Sequence, residues 1–408
     1  MNPHHGYGYG GHRPPQAVYH RPAPRPRPPD PDRKHRIVGL TLWIIGMVIG
    51  IVLNIFGTVV EVFTAPNPGN VAGAMVVGAL LAFPPLVVYL FVPAVIDRYD
   101  PEPWWCLAMA FLWGAIVATG FAGFINSIVG VVASGAFGAE TGKLIMVVVS
   151  APLSEEIFKG LCVLGFFYFL RREFDGVVDG IIYATFCALG FAAVENVSYY
   201  ARAAVEHGGD GLGVLFFLRG VLAPWGHPLY TSMTGIGFGI ARESSNTAIR
   251  ILAPFAGLCV GILLHATWNF VPTALGPKAF FGSLVLWFIF VFAFFIIICV
   301  LVVRKGRVIR DHLKDEVIMG NLTREELDLV CSPVGRIRST FSWRGKTGRA
   351  FIRAAARLAL SKWHTARAMR GRKHTISIDF IAPLREELAR LRAELAAKAP
   401  RPYPRARY

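Results

Sequence analysis

Residues 282–303 read GSLVLWFIFVFAFFIIICVLVV without one charged side chain, and Arg304-Lys305-Gly306-Arg307 follows at once. A helix of about 20 apolar residues crosses the hydrocarbon core of a bilayer, so this run reads as a membrane span. The basic cluster behind it reads as the stop at the inner membrane face. Working back along the chain, similar runs recur at 37–63, 71–96, 104–134, 143–170, 176–201, 214–240 and 251–272. The expectation is an all-α, polytopic membrane protein with about eight transmembrane helices, some of them tilted or extended beyond the bilayer.

Composition agrees. Apolar residues are 54% of the 408 positions and charged ones 17%, against about 25% charged in an average soluble domain. The net charge of +16 would suit a nucleic-acid binder, but its distribution does not. Residues 1–36 hold 7 Lys/Arg against 2 Asp/Glu and residues 304–408 hold 25 against 10, whereas the segment between them is slightly acidic. Positive tails set topology and meet anionic lipid headgroups. No nucleic-acid-binding motif accompanies them, and no nucleic acid is expected as a partner.

Three regions follow. Residues 1–36, rich in Pro, Gly, His and Arg, cannot bury a core and are expected to be disordered. Residues 37–303 form the polytopic region, and 304–408 a basic cytoplasmic tail. With both termini cytoplasmic, the inner loops carry Arg98, Arg171, Arg172, Arg242 and Arg250, while the outer loops carry only Arg202 and Lys278. No cleavable signal peptide is evident, because the first apolar run begins near residue 37. In the tail, Thr323 and Glu326 have the spacing of a capping box. Residues 346–370 set Phe351, Ile352, Ala355, Leu358, Leu360 and Trp363 among Arg and Lys, the pattern of a helix resting on anionic lipid. Residues 383–398 read as a charged soluble helix. Cys106, Cys162, Cys187, Cys259 and Cys299 lie in apolar runs and read as small buried hydrophobes; Cys331 lies in the tail.

Ionisable groups inside spans are costly and point to function. Glu155 and Glu156 fall in the fourth run, Glu195 in the fifth, His227 in the sixth and His265 in the seventh. Counted from the outer ends of antiparallel spans, Glu155, Glu195, His227 and His265 reach similar depths in the outer half of the membrane. Glu155 with Lys159, and His265 with Asn269, stand four residues apart and so share a helix face. A single buried histidine is most often a packing residue, and Glu155-Glu156 with Lys159 could be no more than an internal ion pair. Three carboxylates and two histidines on neighbouring spans exceed what packing requires.

Peptide hydrolysis would use such a set in one of two ways. A buried carboxylate can take a proton from water while imidazole and carboxamide donors, here His265 and Asn269, face the developing oxyanion. Alternatively two histidines and a glutamate bind zinc, and a second glutamate serves as general base. No H-E-x-x-H motif is present, so a metal site would be assembled from separate helices.

Pro152-Leu153-Ser154-Glu155-Glu156-Ile157-Phe158-Lys159, Gly190-Phe191-Ala192-Ala193-Val194-Glu195-Asn196, His227-Pro228 and His265-Ala266-Thr267-Trp268-Asn269 resemble the PrsW family of intramembrane metalloproteases. The upstream Asp97-Arg98-Tyr99-Asp100-Pro101-Glu102-Pro103 resembles the loop of that family, and the likeness covers about residues 75–300. It implies Glu155 as water-activating base, Glu156 as its support, and His265 with Asn269 on the oxyanion or metal side. The wider CAAX-protease and bacteriocin-processing superfamily carries F-x-x-x-H where this chain has Phe191 and Glu195. His227 would then supply the missing imidazole, giving Glu195, His227 and His265 as the metal set. The resemblance also implies a bacterial plasma membrane and a membrane-anchored substrate, anti-sigma factors among them.

Two other classes use the same residues. A proton-coupled transporter would run protons through buried Glu and His, although no internal repeat is evident. A non-catalytic membrane scaffold would recruit partners through its basic tail. Serine or aspartyl intramembrane chemistry fits less well, since no Ser/His pair stands out at depth and Gly208-Gly209-Asp210 falls in an expected outer loop.

Overall fold

The computed structural model describes residues 33–96, 101–332, 345–370 and 376–397, and every regular element among them is helical. Helices α1 (Arg33–Phe63), α2 (Pro68–Ile96), α3 (Trp104–Phe137) and α4 (residues 139–169) come first. Helices α5 (Val177–Phe216), α6 (Gly226–Glu243), α7 (Thr247–Phe270) and α8 (Gly276–Ile318) complete the bundle. These eight helices fall on the eight apolar runs. The Asp97–Asp100 part of the loop resemblance lies outside the described residues, as do residues 1–32.

Five stretches are long and apolar enough to cross a membrane: Arg33–Phe63, Pro68–Pro93, Trp104–Phe137, Val177–Glu243 and Thr247–Ile318. The last two each contain a helical pair, α5 with α6 and α7 with α8. Helix α4 is more highly charged. Every 18-residue window within 139–169 contains at least three of Glu140, Lys143, Glu155, Glu156 and Lys159.

Glycine sets the spacing at the centre. A Cβ on Gly180 of α5 would sit 2.2 Å from the Gly235 carbonyl oxygen of α6, and the reverse is equally tight. On the other flank of α6, a Cβ on Gly237 would meet the Ala253 carbonyl of α7 at 2.3 Å. Small residues let membrane helices approach backbone to backbone. The result is a tight α5–α6–α7 layer, and each of its helices carries one of Glu195, His227 and His265.

Four wide π turns interrupt the helices: Trp113–Ala118 in α3, Met146–Ser150 in α4, Phe217–Leu222 after α5 and Val271–Leu275 after α7. Pro152 and Pro272 explain two of them, because a prolyl ring clashes with the carbonyl one turn back and lacks an N–H. A widened turn exposes a carbonyl, and lipid offers no water to bind it. Side chains from other helices bind three of them. Asn54 Nδ2 donates to Ile116 O at 2.8 Å, Asn269 Nδ2 to Val147 O at 2.9 Å, and the Tyr89 hydroxyl to Gly220 O.

Beyond the bundle, α8 runs on past Val303 and joins α9 (Arg324–Cys331), α10 (Gly345–Arg370) and α11 (Ile381–Ala397). The capping box forms as expected: Glu326 N donates to Thr323 Oγ1 at 3.1 Å, and Thr323 N to Glu326 Oε2 at 2.8 Å. The apolar face of α10 behaves differently from the expectation of a lipid-bound surface. Phe351, Ile352, Ala355, Leu358 and Leu360 are buried in a protein core with Ile309 and Leu313 of α8, Leu327 and Val330 of α9, and Leu388, Leu391 and Leu395 of α11. An amphipathic stripe states only that something apolar covers it, and here the chain itself does. This core caps the ends of α5 and α6 through Lys305–Asp179 (3.1 Å) and Arg367–Glu243 (3.7 Å), and meets the segment before α3 through Arg353, which donates to Pro101 O at 2.9 Å. We call this the tail end of the bundle, and the opposite end the far end. Cys259 and Cys299 are exposed on helix surfaces, unlike buried Cys106, Cys162 and Cys187. An apolar run does not reveal which of its faces meets lipid.

Candidate active site

Helix α4 restarts at Ala151 after its π turn, and two turns of α-helix then present Glu155, Glu156 and Lys159 to the centre of the bundle. All three are buried. Lys159 Nζ lies 2.6 Å from Glu156 Oε1, 3.6 Å from Glu155 Oε2 and 3.1 Å from His227 Nδ1. The expected pairing of Lys159 with Glu155 is therefore present but secondary to that with Glu156. Lys159 also stands over the Phe191 ring, 4.3 Å from its centroid. A buried ammonium is tolerable only when so surrounded.

Glu156 has three partners. Besides Lys159 it accepts from Thr231 Oγ1 at 2.9 Å and lies 3.1 Å from His265 Nδ1. With Nδ1–H donating to Glu156, His265 turns the lone pair of Nε2 toward Glu155 Oε2, 3.8 Å away. The Tyr230 ring stacks on His265 at 5.0 Å and keeps it in that plane. Glu155 Oε2 is buried and has no hydrogen-bond donor among the described residues.

His227 stands in the first turn of α6, just after the break at Ala223–Trp225. Its Nε2 lies 3.0 Å from Glu195 Oε2, so Nδ1 is the nitrogen left to accept from Lys159. Glu195 is gripped from the other side by Arg219, which forms an ion pair with it through Nη2 and donates from Nε to Asn196 Oδ1 at 2.7 Å. Arg219 also stacks on Tyr199, 3.8 Å from the ring centroid.

The six expected site residues are distributed as follows. Glu155, His227 and His265 come together, each with one ligand atom within 4.8 Å of the others. Glu156 stands behind His265 and Glu195 behind His227, each as a hydrogen-bond acceptor. Asn269 lines the same cavity, but its amide nitrogen is committed to Val147 O. Arg219, Tyr230 and Thr231 complete the site without having been expected. Arg219 had left a signal, a guanidinium inside an apolar run, whereas Tyr230 and Thr231 look like ordinary helix residues in sequence.

A metal ion suits this arrangement. Two imidazole nitrogens and one carboxylate are a donor set that catalytic zinc uses, with a position left open. The Glu155 Oε2 atom accepts no hydrogen bond among the described residues, and its nearest cation, Lys159 Nζ, stands off at 3.6 Å. With all three carboxylates ionised, the two permanent cations Lys159 and Arg219 would leave one negative charge for a bound cation to offset. Lys159 Nζ, touching Glu155, Glu156 and His227 together, stands where positive charge is called for.

A cavity of about 1110 Å³ reaches this cluster and is lined by Glu155, Glu195, His227 and His265 at its base. Its walls come from the far halves of α1, α3 and α5, from residues 81–89 of α2 and from residues 272–281.

The family described as PrsW family intramembrane metalloprotease matches residues 102–299. Among curated relatives, Protease PrsW of Bacillus subtilis (strain 168) is 30% identical over 179 residues, which is 44% of this chain and 75% of that protein. Protease PrsW of Geobacillus kaustophilus is 32% identical over 177 residues, 43% of this chain and 70% of that protein. Protease PrsW of Oceanobacillus iheyensis is 33% identical over 124 residues, 29% of this chain and only half of that protein. No solved structure matches the chain.

Proposed function

The chain belongs to the PrsW family of intramembrane metalloproteases, and from that premise we propose that it hydrolyses a peptide bond of a membrane-anchored protein within the Glu155–His227–His265 cavity. The observation that carries this reading is the orphaned Glu155 oxygen facing His265 Nε2 across 3.8 Å at the base of an open cavity.

Glu155, His265 through Nε2 and His227 through Nδ1 would hold the metal, with zinc as the candidate and the cation taking the place that Lys159 Nζ now holds at His227 Nδ1. Such a cation supplies Lewis acidity toward the scissile carbonyl and makes water a better nucleophile. The protein side of the mechanism follows from the hydrogen bonds. Glu156, itself fixed by Lys159 and Thr231, accepts a hydrogen bond from Nδ1–H of His265 and so fixes both its tautomer and its orientation. Glu195, fixed by Arg219, does the same for His227 through Nε2. Glu195 also lines the cavity, which makes it the carboxylate placed to accept the proton of the attacking water and return it to the leaving amine. This division of labour revises the one drawn from sequence, in which Glu155 was the base and Glu195 a ligand.

Depth sets where cleavage falls. Glu155 lies 14 residues from the tail end of α4 and His265 lies 18 from that of α7, about 21 and 27 Å along a helix. With the basic tail in the cytoplasm, the scissile bond lies in the outer half of a bacterial plasma membrane crossed by all eight helices. A membrane-anchored regulator, such as an anti-sigma factor, is the substrate class that follows from the family resemblance.

The test compares wild type, Glu155→Gln and Glu195→Gln in matched cells, reading new protein N-termini in membranes and bound metal in the purified protein. New N-termini seen with wild type alone, metal lost from Glu155→Gln and metal kept by Glu195→Gln are expected. The opposite metal result would exchange the two roles, and identical N-terminal profiles for all three would overturn the protease reading.

A further inference from the structure

We propose that the far half of α1 is the movable wall of the cavity, that the Glu61–Arg202 ion pair latches it shut, and that the membrane segment of the substrate enters when it swings open. The inference rests on the protease reading and concerns how its substrate arrives.

The tail-end half of α1 is fixed. A Cβ on Gly39 would meet Phe169 at 2.6 Å, and one on Gly50 would meet the Ile116 carbonyl oxygen at the same distance. Trp43 Nε1 donates to Met109 O at 3.3 Å, and Asn54 Nδ2 to Ile116 O. Beyond Asn54 the anchoring stops. Ile55, Phe56, Val59, Val60 and Phe63 are all exposed, and nothing lies within 4 Å of a Cβ on Gly57. Among the described residues, one polar side-chain contact joins 55–63 to another helix, Arg202 Nε with Glu61 Oε1 at 2.8 Å.

That contact crosses the cavity. Glu61 comes from α1 and Arg202 from α5, and both line the space that descends to Glu195 and Glu155. Phe56 and Val60 of α1, with Phe124, Ile128 and Val131 of α3, give its upper walls an apolar and exposed character. An apolar wall in the membrane-crossing region, continuous with a buried cluster of charge, suits a membrane helix and repels a hydrated polypeptide. Arg202 is 59% exposed, and exposed ion pairs are weak, so opening costs little. Asn54 provides the pivot.

The experiment uses full-length protein in membrane vesicles from expressing cells, with Cys259, Cys299 and Cys331 replaced by Ala and Glu61→Cys and Arg202→Cys introduced together. A bis-maleimide linker with an internal disulfide joins the pair, and reductant releases it. The readout is the set of new N-termini that depend on Glu155. They are expected to vanish on linking and return on reduction, whereas a monofunctional maleimide on either cysteine alone leaves them. Glu61→Gln is expected to speed their formation about two- to fivefold, and the exchange Glu61→Arg with Arg202→Glu to restore the wild-type rate. Undiminished N-termini from fully linked protein would overturn the gate while leaving the protease reading standing. If no N-terminus depends on Glu155 even in the unlinked protein, the protease reading fails and the gate with it.

Discussion

His265 gives its Nδ1 to Glu156 Oε1 at 3.1 Å, and this bond aims its Nε2 at Glu155. Acceptors that orient a metal-binding histidine typically contribute 10–100-fold to metal affinity. Glu156→Gln should therefore weaken Zn²⁺ binding by about that factor, measured by competition with a chromogenic chelator. Thr231→Val, which removes one donor from Glu156, should have a smaller effect. Unchanged affinity in Glu156→Gln would remove the orienting role.

Lys159 is the hub that makes the buried carboxylates tolerable. Lys159→Met leaves Glu156 charged and without its closest cation, a loss of about 3–5 kcal/mol when one partner of a buried pair is deleted. Denaturant unfolding in detergent should show that loss, and the paired change Lys159→Met with Glu156→Gln should recover much of it. A single variant as stable as wild type would contradict the burial of charge described above.

The Gly180–Gly235 contact fixes how far Glu195 stands from His227. Gly235→Ala forces a methyl into a carbonyl 2.2 Å away and must part α5 from α6. Overpacking of this kind costs about 1–3 kcal/mol. It should also lower turnover at least tenfold, because the 3.0 Å bond between His227 and Glu195 spans the same two helices. Gly73→Ala, where nothing lies within 4 Å, should leave both stability and turnover near wild type. Equal effects from the two changes would refute the spacing argument.

Outside the membrane, two groups give the tail core an acid limit. Burial raises the Glu316 carboxyl, but hydrogen bonds from Arg385, Asn321 and Lys362 outweigh it and hold the group down at about 2. The unfolded chain takes up that proton near the ordinary value of 4.5, so this stabilisation is full above pH 4.5 and drains away toward pH 2. Burial pushes the His364 imidazole down to about 4, so it stays neutral in the fold while the unfolded chain protonates near 6.5. Stability therefore declines as pH falls from 6.5 to 4. Near Trp363, fluorescence-monitored unfolding should show both slopes, and His364→Gln should remove the upper one alone.

The helices of the bundle were legible because membrane spans are read from length and apolarity, which tolerate errors of a few residues. The convergence of Glu155, Glu195, His227 and His265 was legible because charge at depth has few structural explanations. Which of them pair at close range was not. Whether Glu155 or Glu195 stands nearer His265 depends on the rotation of α4 and α5, and the glycine contacts of α6 decide that in three dimensions. Tyr230 and Thr231 escaped for the same reason. The tail misled because Phe351 and Leu358 announce burial without naming the partner.

The π turns carry a consequence for motion. Ile116, Val147 and Gly220 each present a carbonyl that a side chain of another helix binds: Asn54, Asn269 and Tyr89. Sliding any of these helices by one residue, about 1.5 Å, would part such an oxygen from its donor. These bonds thus act as indexing pins: the helices can bend or hinge about them, but creeping along one another would break them.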